Sequence, residues 1–417
     1  MTDSAQHTEI IQTTCCITGG GPAGMMLGYL LARAGIDVVV LEKHPDFLRD
    51  FRGDTVHPST LEVMHELGIL DEFLELPHQK VTEMVAFIGD QKITPIDLSH
   101  LPTQCKFIAF MPQWDFLNFV AQQGQRYPTF KLLMQTQVTD LLYSGDQVTG
   151  VKAENEEGVL EIQAKLVVAA DGRASVLRDK AGLEVMDLGA PMDALWMSIS
   201  RLDTDPQETM GRLNAGRMMV MLNRGTYWQC AYIIPKGGFE KLREQGIESL
   251  HADMTKLAPF LRSRVKELSD WDDLNLLVVK VDRLRQWYRP GLLCIGDAAH
   301  AMSPVGGIGI NLAIKDSVAA ANILAQPLVE GTLTLNHLKQ VQKRRLFPTR
   351  VTQRFQVFAQ KNIIGKVLAD DSGKPTKPPL SMRILNRFPY LRRFPARFLG
   401  TGFRLEHVND YILKRPK

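Results

Sequence analysis

The glycine-rich run Gly19-Gly20-Gly21-Pro22-Ala23-Gly24 is the strongest indication of the fold of this chain of 417 residues. It follows an uncharged, partly β-branched run at residues 13–18, which predicts a short buried strand. A helix-like run at 25–34 comes next, Gly35 ends it, and a second strand is predicted at 37–41. The order of strand, glycine-rich turn, helix and strand predicts a Rossmann-like α/β fold.

Each glycine of this Gly-x-Gly-x-x-Gly spacing has a physical task. Gly19 allows the tight turn, Gly21 lets the backbone approach a pyrophosphate, and Gly24 lets helix and strand pack closely. The helix N-terminus offers unpaired N–H groups to the phosphates. Glu42 lies 18 residues beyond Gly24, where a carboxylate can accept both hydroxyls of an adenosine ribose. We therefore predict a dinucleotide site; the alternative is a glycine-rich turn that binds no nucleotide.

Two further segments distinguish FAD from NAD. Residues 166–170 predict a buried strand that ends at Asp171-Gly172-Arg173, and residues 291–295 predict another that ends at Gly296-Asp297. Carboxylates at such strand ends lie where open α/β sheets bind ligands, and one there can hold a ribityl hydroxyl. The glycine-rich run 304–311 then leads into a helix whose N–H groups can face a flavin pyrimidine edge. An NAD dehydrogenase needs neither element, so the pattern predicts FAD.

With these motifs the chain resembles the FAD-dependent aromatic monooxygenases of the p-hydroxybenzoate hydroxylase fold, including ubiquinone-biosynthesis and polyketide hydroxylases. The resemblance covers about residues 13–350 in motif order. It implies one non-covalent FAD, NAD(P)H as reductant, and transfer of an oxygen atom from O₂ through a flavin hydroperoxide to an aromatic, phenolic or quinone-like small molecule. Two alternatives stay open: a flavin-dependent reductase or dehydrogenase on the same fold, and a FAD redox sensor without turnover.

The resemblance also assigns roles to single residues. Arg52 resembles the arginine beside the FAD pyrophosphate, and Gln113 resembles the glutamine that bonds the ribityl region. Ile310 and Asn311 match the backbone pair at the flavin ring, and Pro304 matches a proline whose carbonyl faces the aromatic substrate. The predicted cofactor-binding residues are Gly19, Gly21, Pro22, Ala23, Gly24, Glu42, Lys43, Arg52, Gln113, Val138, Asp171, Gly172, Gly296, Asp297, Gly307, Gly309, Ile310 and Asn311.

The chain departs from the family pattern in two places. Ile308 stands where many members carry a glutamine, which removes a polar side chain near the flavin. No tyrosine or histidine pair can be placed as a phenol-activating relay, so we assign no catalytic residue. The Trp-x-Trp-x-Ile-Pro signature of flavin halogenases is absent, which makes halogenation an unfavoured reaction.

The cofactor motifs divide the chain into three predicted parts. Alternating runs between the motifs are typical of an antiparallel sheet, which would hold the substrate. We predict that Met219 and Trp228 line the substrate site with Pro304, as part of an adaptable apolar wall; the alternative is that each is a core residue of the sheet. The predicted parts are a discontinuous FAD-binding domain (1–75, 109–185 and 286–334), an inserted substrate-binding sheet domain (76–108 and 186–285) and a C-terminal helical region (335–417).

Composition indicates a soluble, cytoplasmic enzyme. Hydrophobic residues make up 45% and charged residues 23% of the chain, as in ordinary globular proteins. The five cysteines form no Cys-x-x-Cys pair, which favours free thiols in a reducing compartment, and we predict no metal site. Residues 1–12 are polar and do not resemble a signal peptide. The apolar stretch at 25–41 is interrupted by Arg33 and Asp37, so no membrane span is predicted.

The C-terminal tail, residues 374–417, has an unusual composition. It holds eleven Lys and Arg against two acids, while the whole chain carries a net charge of +3. Phenylalanines recur between the arginines, and their exposure in a free tail would be costly. We therefore predict that the tail closes over the body with its phenylalanines buried. A weak membrane-surface contact is the alternative; no nucleic-acid partner is expected, and the protein is expected to be a monomer or homodimer.

Overall fold

The computed structural model describes residues 9–48, 55–369 and 376–414. The strands are β1 (Glu9–Thr18), β2 (Val38–Leu41), β3 (Thr55–Val56), β4 (Gln79–Val81), β5 (Glu83–Ile88), β6 (Gln91–Asp97), β7 (Ile108–Phe110), β8 (Phe130–Leu133), β9 (Gln137–Ser144), β10 (Gln147–Asn155), β11 (Gly158–Ala169), β12 (Val185–Asp187), β13 (Met192–Ser200), β14 (Met210–Asn214), β15 (Arg217–Asn223), β16 (Tyr227–Pro235), β17 (Asn275–Leu277), β18 (Asp282–Leu284), β19 (Tyr288–Arg289) and β20 (Leu292–Cys294).

The helices in this part of the chain alternate with the strands and then dominate after residue 308. They are α1 (Pro22–Arg33), α2 (Pro58–Glu66), α3 (Leu70–Leu74), α4 (Gln113–Gln125), α5 (Val176–Lys180), α6 (Phe239–Glu244), α7 (Ile247–Leu257), α8 (Ile308–Glu330), α9 (Leu335–Ala359), α10 (Gly365–Leu368), α11 (Leu380–Arg387), α12 (Arg393–Gly400) and α13 (Asp410–Leu413). A π-helical turn, Gln360–Ile364, joins α9 to α10. The mixed α/β fold, with a helical C-terminal region, confirms the predicted fold class.

An eight-stranded sheet forms the first layer of the molecule. Its main path runs β19-β20-β11-β1-β2-β8, and β10 and β9 extend it along the first half of β11. The central pairs β20–β11, β11–β1, β1–β2 and β2–β8 are parallel. Uncharged β-branched residues suit such strands because parallel sheets are covered on both faces. The predicted strand–turn–helix–strand unit corresponds to β1, α1 and β2.

Helix α8 packs against α1 and is buried along most of its length. It begins at Ile308 rather than at residue 312, because Gly306 and Gly307 adopt positive φ angles that place the turn just before it. The segment Val305–Glu330 is long and apolar enough to cross a membrane, but 78% of its most apolar window is buried. This burial is typical of the core helix of a soluble protein.

A seven-stranded sheet forms a second layer. Its order is β17-β13-β16-β15-β14-β5-β6, and every pair is antiparallel except β14–β5. Because side chains alternate across a strand, its two faces carry separate apolar clusters. One face packs on α7, and the other faces Val305, at the turn before α8, and Ile364.

The C-terminal region packs against both layers. Ala396 and Leu399 of α12 are buried beside Ile308, and Ile412 of α13 is buried in the main core. Thr376 bonds the β14–β15 turn, where its hydroxyl accepts the Ala215 N–H at 2.9 Å.

The region therefore closes over the body, as the sequence predicted, but the predicted reason was wrong. Phe388, Phe394 and Phe403 remain at least half exposed. Small and aliphatic side chains make most of the buried contacts, and half-buried Phe398 packs beside them.

Candidate active site

The three motifs meet at one edge of the eight-stranded sheet. The neighbouring strands β20, β11, β1 and β2 point the same way, so their carboxyl ends lie side by side. Asp297 follows β20, Asp171 follows β11, the glycine-rich turn follows β1, and Glu42 follows β2. This edge is where open α/β sheets bind ligands, and segments almost 280 residues apart in sequence converge on it.

Of the three glycines in the Gly-x-Gly-x-x-Gly spacing, two occupy crowded positions and one occupies an open position. A β-carbon on Gly19 would lie 2.4 Å from the Ala170 carbonyl oxygen, and one on Gly24 would lie 2.0 Å from the Gly19 carbonyl oxygen. Gly21 has no atom within 4 Å of that position. Gly21 is also the N-cap of α1 and provides no side-chain cap, so the first N–H groups of the helix face the open space. The turn therefore fits a pyrophosphate.

Glu42 is held beside this turn. Its Oε2 accepts the Gly20 N–H at 2.9 Å and its Oε1 accepts the His44 N–H at 3.1 Å. The Glu42 carbonyl accepts the Thr136 N–H at 2.9 Å, which brings the start of β9, with Val138, to the same end of the site. The carboxylate is therefore placed where a ribose next to the pyrophosphate would lie. Lys43 is exposed.

Asp171 lies deeper in the edge. Its Oδ2 accepts the Leu177 N–H at the start of α5, at 3.3 Å. Its Oδ1 is buried and has no hydrogen-bond partner among the described residues. Burial raises the pKa of this carboxyl above its usual value. A buried oxygen without a donor, at the same sheet edge as the glycine-rich turn, fits a polar group of a bound cofactor.

Asp297 is paired with Arg173, a contact that sequence analysis did not foresee. Arg173 Nε donates to Asp297 Oδ2 at 3.0 Å, and about a third of each side chain is exposed. Arg178 lies behind the pair, where it donates to the Arg173 carbonyl at 2.8 Å and to the Ala298 carbonyl at 3.5 Å. The guanidinium groups thus fix the Asp-Gly-Arg and Gly-Asp segments relative to each other. The hint of this contact in the sequence is that Arg173 directly follows Asp171-Gly172.

A buried charge network supports the Gly-Asp turn from below. Asp316 accepts the Gly296 N–H at 3.1 Å, His300 Nε2 at 2.5 Å and Arg345 Nε at 2.8 Å. Arg345 also donates to Glu406 at 3.0 Å, which links the turn to the C-terminal segment. Burial alone would raise the pKa of Asp316, but the charges of His300 and Arg345 outweigh it and the pKa is lowered. The sequence signal for this network, which was missed, is the pair of adjacent charged residues Lys315 and Asp316 within an otherwise apolar helix.

The loop before α8 is fixed by side chains on two sides. Asn311 Oδ1 accepts the His57 N–H and the Thr60 hydroxyl, each at 2.8 Å, while its Nδ2 donates to the Thr55 carbonyl at 3.0 Å. A β-carbon on Gly307 would lie 2.2 Å from Thr55 Oγ1. The Asn311 side chain is thus structural. The backbone of Ile310 and Asn311 lies in the first turn of α8, and Gly309 is there too.

Helix α9 holds the same loop with a row of glutamines. Gln353 donates to the Ala301 carbonyl at 3.1 Å, and Gln356 donates to the Ser303 and Val305 carbonyls at 3.1 and 3.0 Å. Gln360, in the π-helical turn that follows α9, bonds the Ser303 hydroxyl. Pro304 lies within this segment, and its carbonyl accepts the Gly307 N–H at 3.0 Å. The loop is therefore rigidly placed between the two layers.

Apolar side chains pack between this loop and the seven-stranded sheet. Trp196, Met218 and Val220 extend from the sheet toward Val305. Ile308 packs with Leu399 and Met302, so its apolar side chain is accommodated by α12.

The predicted substrate residues Met219 and Trp228 lie on the opposite face of the sheet. Both are fully buried against α7, and Trp228 Nε1 donates to Asp205 at 2.9 Å. The alternation of side chains along β15 and β16 directs them away from Pro304. Their prediction as substrate contacts is therefore wrong for this geometry, and the core interpretation applies. Met218 and Val220, one residue away, occupy the face that the prediction intended.

Two predicted cofactor residues cannot be placed in the cluster. Arg52 lies outside the described residues. Gln113 is the first residue of α4 and is half-buried, but the structure shows no bond between it and the motifs. Among the described residues no group of His, Cys, Asp or Glu could hold a metal ion. All five cysteines are free and buried.

Comparison with known proteins agrees with this geometry. Residues 12–355 match the family model described as FAD binding domain. The 6-methylpretetramide 4-monooxygenase of Streptomyces rimosus is 29% identical over 92% of this chain and 92% of its own length. The para-nitrophenol 4-monooxygenase of a Pseudomonas species is 24% identical over 79% of this chain and 82% of its own.

Two solved structures share the fold. PqsL from Pseudomonas aeruginosa, a probable FAD-dependent monooxygenase, has a TM-score of 0.71 at 20% identity and covers 86% of this chain and 98% of its own. The anhydrotetracycline hydroxylase OxyS from Streptomyces rimosus has a TM-score of 0.72 at 20% identity, with 94% and 76% covered. The chain therefore belongs to the FAD binding domain family and is an FAD-dependent monooxygenase.

Proposed function

We propose that this monooxygenase uses NAD(P)H and O₂ to hydroxylate an aromatic, phenolic or quinone-like small molecule, through the flavin hydroperoxide that the resemblance implies. The observation that carries the proposal is the apolar cluster in which Val305, next to Pro304 and just before α8, packs with Trp196, Met218 and Val220 of the seven-stranded sheet. Relatives named for their action on 6-methylpretetramide and para-nitrophenol support this substrate class.

The residues that would hold FAD divide along its length. The N–H groups at the start of α1 would bind the pyrophosphate, and Glu42 would accept the ribose hydroxyls. Asp297 would accept a ribityl hydroxyl. The N-terminus of α8, with no side-chain cap, would face the pyrimidine edge. Bound FAD would supply the redox chemistry, while these groups bind and orient it.

A group of three arginines supports a phosphate-bearing reductant. Arg283 is buried, donates to Gln353 at 2.7 Å and has an Nε with no partner among the described residues. Arg350 and Arg354 lie one helical turn apart on either side of Gln353. Burial and these two positive charges lower the pKa of Arg283. Such a group is suited to bind the phosphates of NAD(P)H.

The apolar wall would exclude water from the reacting centre. Trp196, Val220, Val305 and Ile308 offer little to solvate a charged molecule. A flat, apolar, electron-rich ring would pack well against these side chains. We place the enzyme in the cytoplasm, where its buried thiols would stay reduced.

Turnover measurements test the proposal. The purified protein should be yellow, and acid precipitation should release all of the colour as FAD. A panel of phenols and quinones should contain compounds that stimulate NAD(P)H oxidation, with O₂ consumed in equal amount and a hydroxylated product formed. Stimulated oxidation without O₂ uptake would indicate a reductase, and binding without turnover would indicate a sensor. Either result would overturn the proposal.

A further inference from the structure

An unusual apolar surface lies on the C-terminal helices, outside the site described above. Its members lie between residues 380 and 394, on α11, on the 3₁₀ turn Pro389–Arg392, on α12 and at Phe388 between α11 and the turn; the turn packs against both helices. These five side chains, here called the aromatic surface, are 40 to 69% exposed: Leu380, Ile384, Phe388, Tyr390 and Phe394. They lie within fifteen consecutive residues. Soluble monomers rarely expose large apolar side chains so densely.

This exposure follows from how the helices are oriented. Met382 of α11 packs inward against the seven-stranded sheet, and Ala396 and Leu399 of α12 pack inward beside Ile308. A β-carbon on Gly400 would lie 2.4 Å from Leu101, so α12 is tightly seated. The inward faces of α11 and α12 are therefore already packed against the rest of the protein. The aromatic surface points outward because it is the remaining face of well-packed helices.

The surroundings of the aromatic surface are strongly basic. Residues 376–405, which include this surface, hold seven Lys and Arg. Arg393 lies over the Tyr390 ring, 4.4 Å from its centre, and Arg387 lies 5.8 Å from the centre of the Phe388 ring. Residues 376–405 contain no carboxylate side chain; Asp97, at the end of β6, interacts electrostatically with Arg392 and offsets part of this charge.

We propose that the aromatic surface docks on an anionic lipid bilayer. Exposed aliphatic and aromatic side chains flanked by arginines are the composition with which short helices lie at a membrane interface. Anionic headgroups would attract the surrounding cations. A nucleic acid would bind the arginines but would leave the apolar side chains unburied. A second copy meeting the same surface would bring two sets of positive charge together.

The docked surface would lie on the helix that packs against the start of α8, beside the proposed substrate site. Leu399 and Ile308 belong to one cluster, and His57 Nδ1 bonds the Leu399 carbonyl at 2.9 Å. Lys315 Nζ donates to the Thr401 carbonyl at 2.8 Å. The helix that faces the bilayer is therefore also a wall of the site. A lipophilic substrate could enter from the membrane, but the docking itself does not depend on the proposed reaction.

Vesicle co-sedimentation of the full, FAD-loaded chain tests the docking. We expect binding to phosphatidylcholine vesicles with 30% phosphatidylglycerol, weakening as salt rises, and binding to pure phosphatidylcholine at least about tenfold weaker. Phe394→Ser combined with Tyr390→Ser should weaken binding to anionic vesicles about tenfold or more. Tyr143→Ser combined with Leu202→Ser, at residues 44 and 50% exposed elsewhere on the chain, is the matched control and should bind as wild type.

Melting temperature and flavin content of each variant show whether it is folded. If the Phe394 and Tyr390 variant folds but binds vesicles as wild type does, or if wild type binds no vesicle, the proposal is overturned. It is equally overturned if the variant instead abolishes a dimer seen by sedimentation velocity, or binding of a random-sequence RNA. Loss of vesicle binding with intact NAD(P)H oxidation would support docking independently of the reaction.

Discussion

The three carboxylates at the FAD edge are held in different ways, and this decides what each can do. Glu42 accepts two backbone N–H groups, while Asp171 keeps one buried oxygen without a partner among the described residues. Asp297 shares a part-exposed ion pair with Arg173. An exposed pair of this kind contributes only about 0–1 kcal/mol, so Asp297 can exchange or share its partner when a ligand arrives.

Replacing Asp297 should therefore affect cofactor binding more than stability. A charge-assisted bond to a ribityl hydroxyl is worth about 1.5–3 kcal/mol, so Asp297→Ala should weaken FAD binding roughly tenfold to a hundredfold. Titration of apoprotein with FAD measures the change. Arg173→Ala, which breaks the same ion pair but keeps the carboxylate, is the control and should have a smaller effect. Equal losses in both variants would show that the carboxylate serves only the ion pair.

Lys315 should make stability depend on pH. Burial, followed by the charge of Arg345, lowers the pKa of Lys315 to about 7. Below that pH the folded protein carries the cost of a buried ammonium. Between about pH 7 and the higher pKa of the unfolded chain, the unfolded state binds more protons, so stability rises with pH.

Lys315→Met should remove this pH dependence. The variant should gain stability relative to wild type at pH 6, and the gain should shrink as pH rises from 7 to 9. Urea unfolding of both proteins at pH 6, 7, 8 and 9 measures the difference. A difference that does not change with pH would refute a titrating Lys315.

At the scale of elements, the first strand, turn and helix form one unit in which two glycines are needed for different reasons. A β-carbon at Gly24 would collide with the Gly19 carbonyl, whereas the position at Gly21 is open. Gly21 has a φ of −74°, which alanine adopts without strain. Gly24 is therefore needed for the fold, and Gly21 is needed for binding the ligand.

This contrast predicts opposite outcomes for two alanine variants. Gly24→Ala should give low soluble yield or a clearly lower melting temperature of the apoprotein, because the clash is with backbone. Gly21→Ala should melt like wild type without FAD but bind FAD more weakly, because the methyl group would occupy the cradle. Thermal melts of apoprotein and FAD titrations separate the two effects. Unchanged FAD affinity in Gly21→Ala would place the pyrophosphate elsewhere.

Local patterns in the sequence were enough to predict the elements of the FAD edge. The spacing of glycines and the strand-terminal acids at Asp171 and Asp297 depend on local geometry, so they predicted β1, α1, β2, β11 and β20. The sequence could not predict on which face of the sheet Met219 and Trp228 lie. Alternation shows that a strand has two faces, but it does not show which of them meets the flavin. Contacts such as Arg173 with Asp297 depend on tertiary packing that no local pattern encodes.

For the whole molecule, the C-terminal segment is part of the fold. Arg345 is fully buried and bonds Glu406, and Ile412 is fully buried in the main core. A chain that ends at Gly373 would lack Glu406 and Ile412. The buried Arg345 guanidinium would then keep Asp316 as its partner but lose Glu406. Breaking a buried ion pair in this way costs about 3–5 kcal/mol.

Truncation at Gly373 should therefore give aggregated or poorly folded protein. A chain that ends at Lys414 removes only the last three residues and should behave as wild type. Size-exclusion chromatography and flavin content compare the two. A soluble, yellow protein ending at Gly373 would show that the segment is dispensable for folding.

The pairing of β1 has a consequence for synthesis on the ribosome. Glu9 of β1 pairs with Leu160 of β11, and Val167 of β11 pairs with Leu292 of β20. The ribosome adds about 5–20 residues per second, so the edge of β1 that pairs with β11 stays unpaired for roughly 8–30 s. An open strand edge invites pairing with other chains during that time. The nucleotide edge is completed only when about 300 residues have emerged, so FAD can reach its full set of contacts only late in translation.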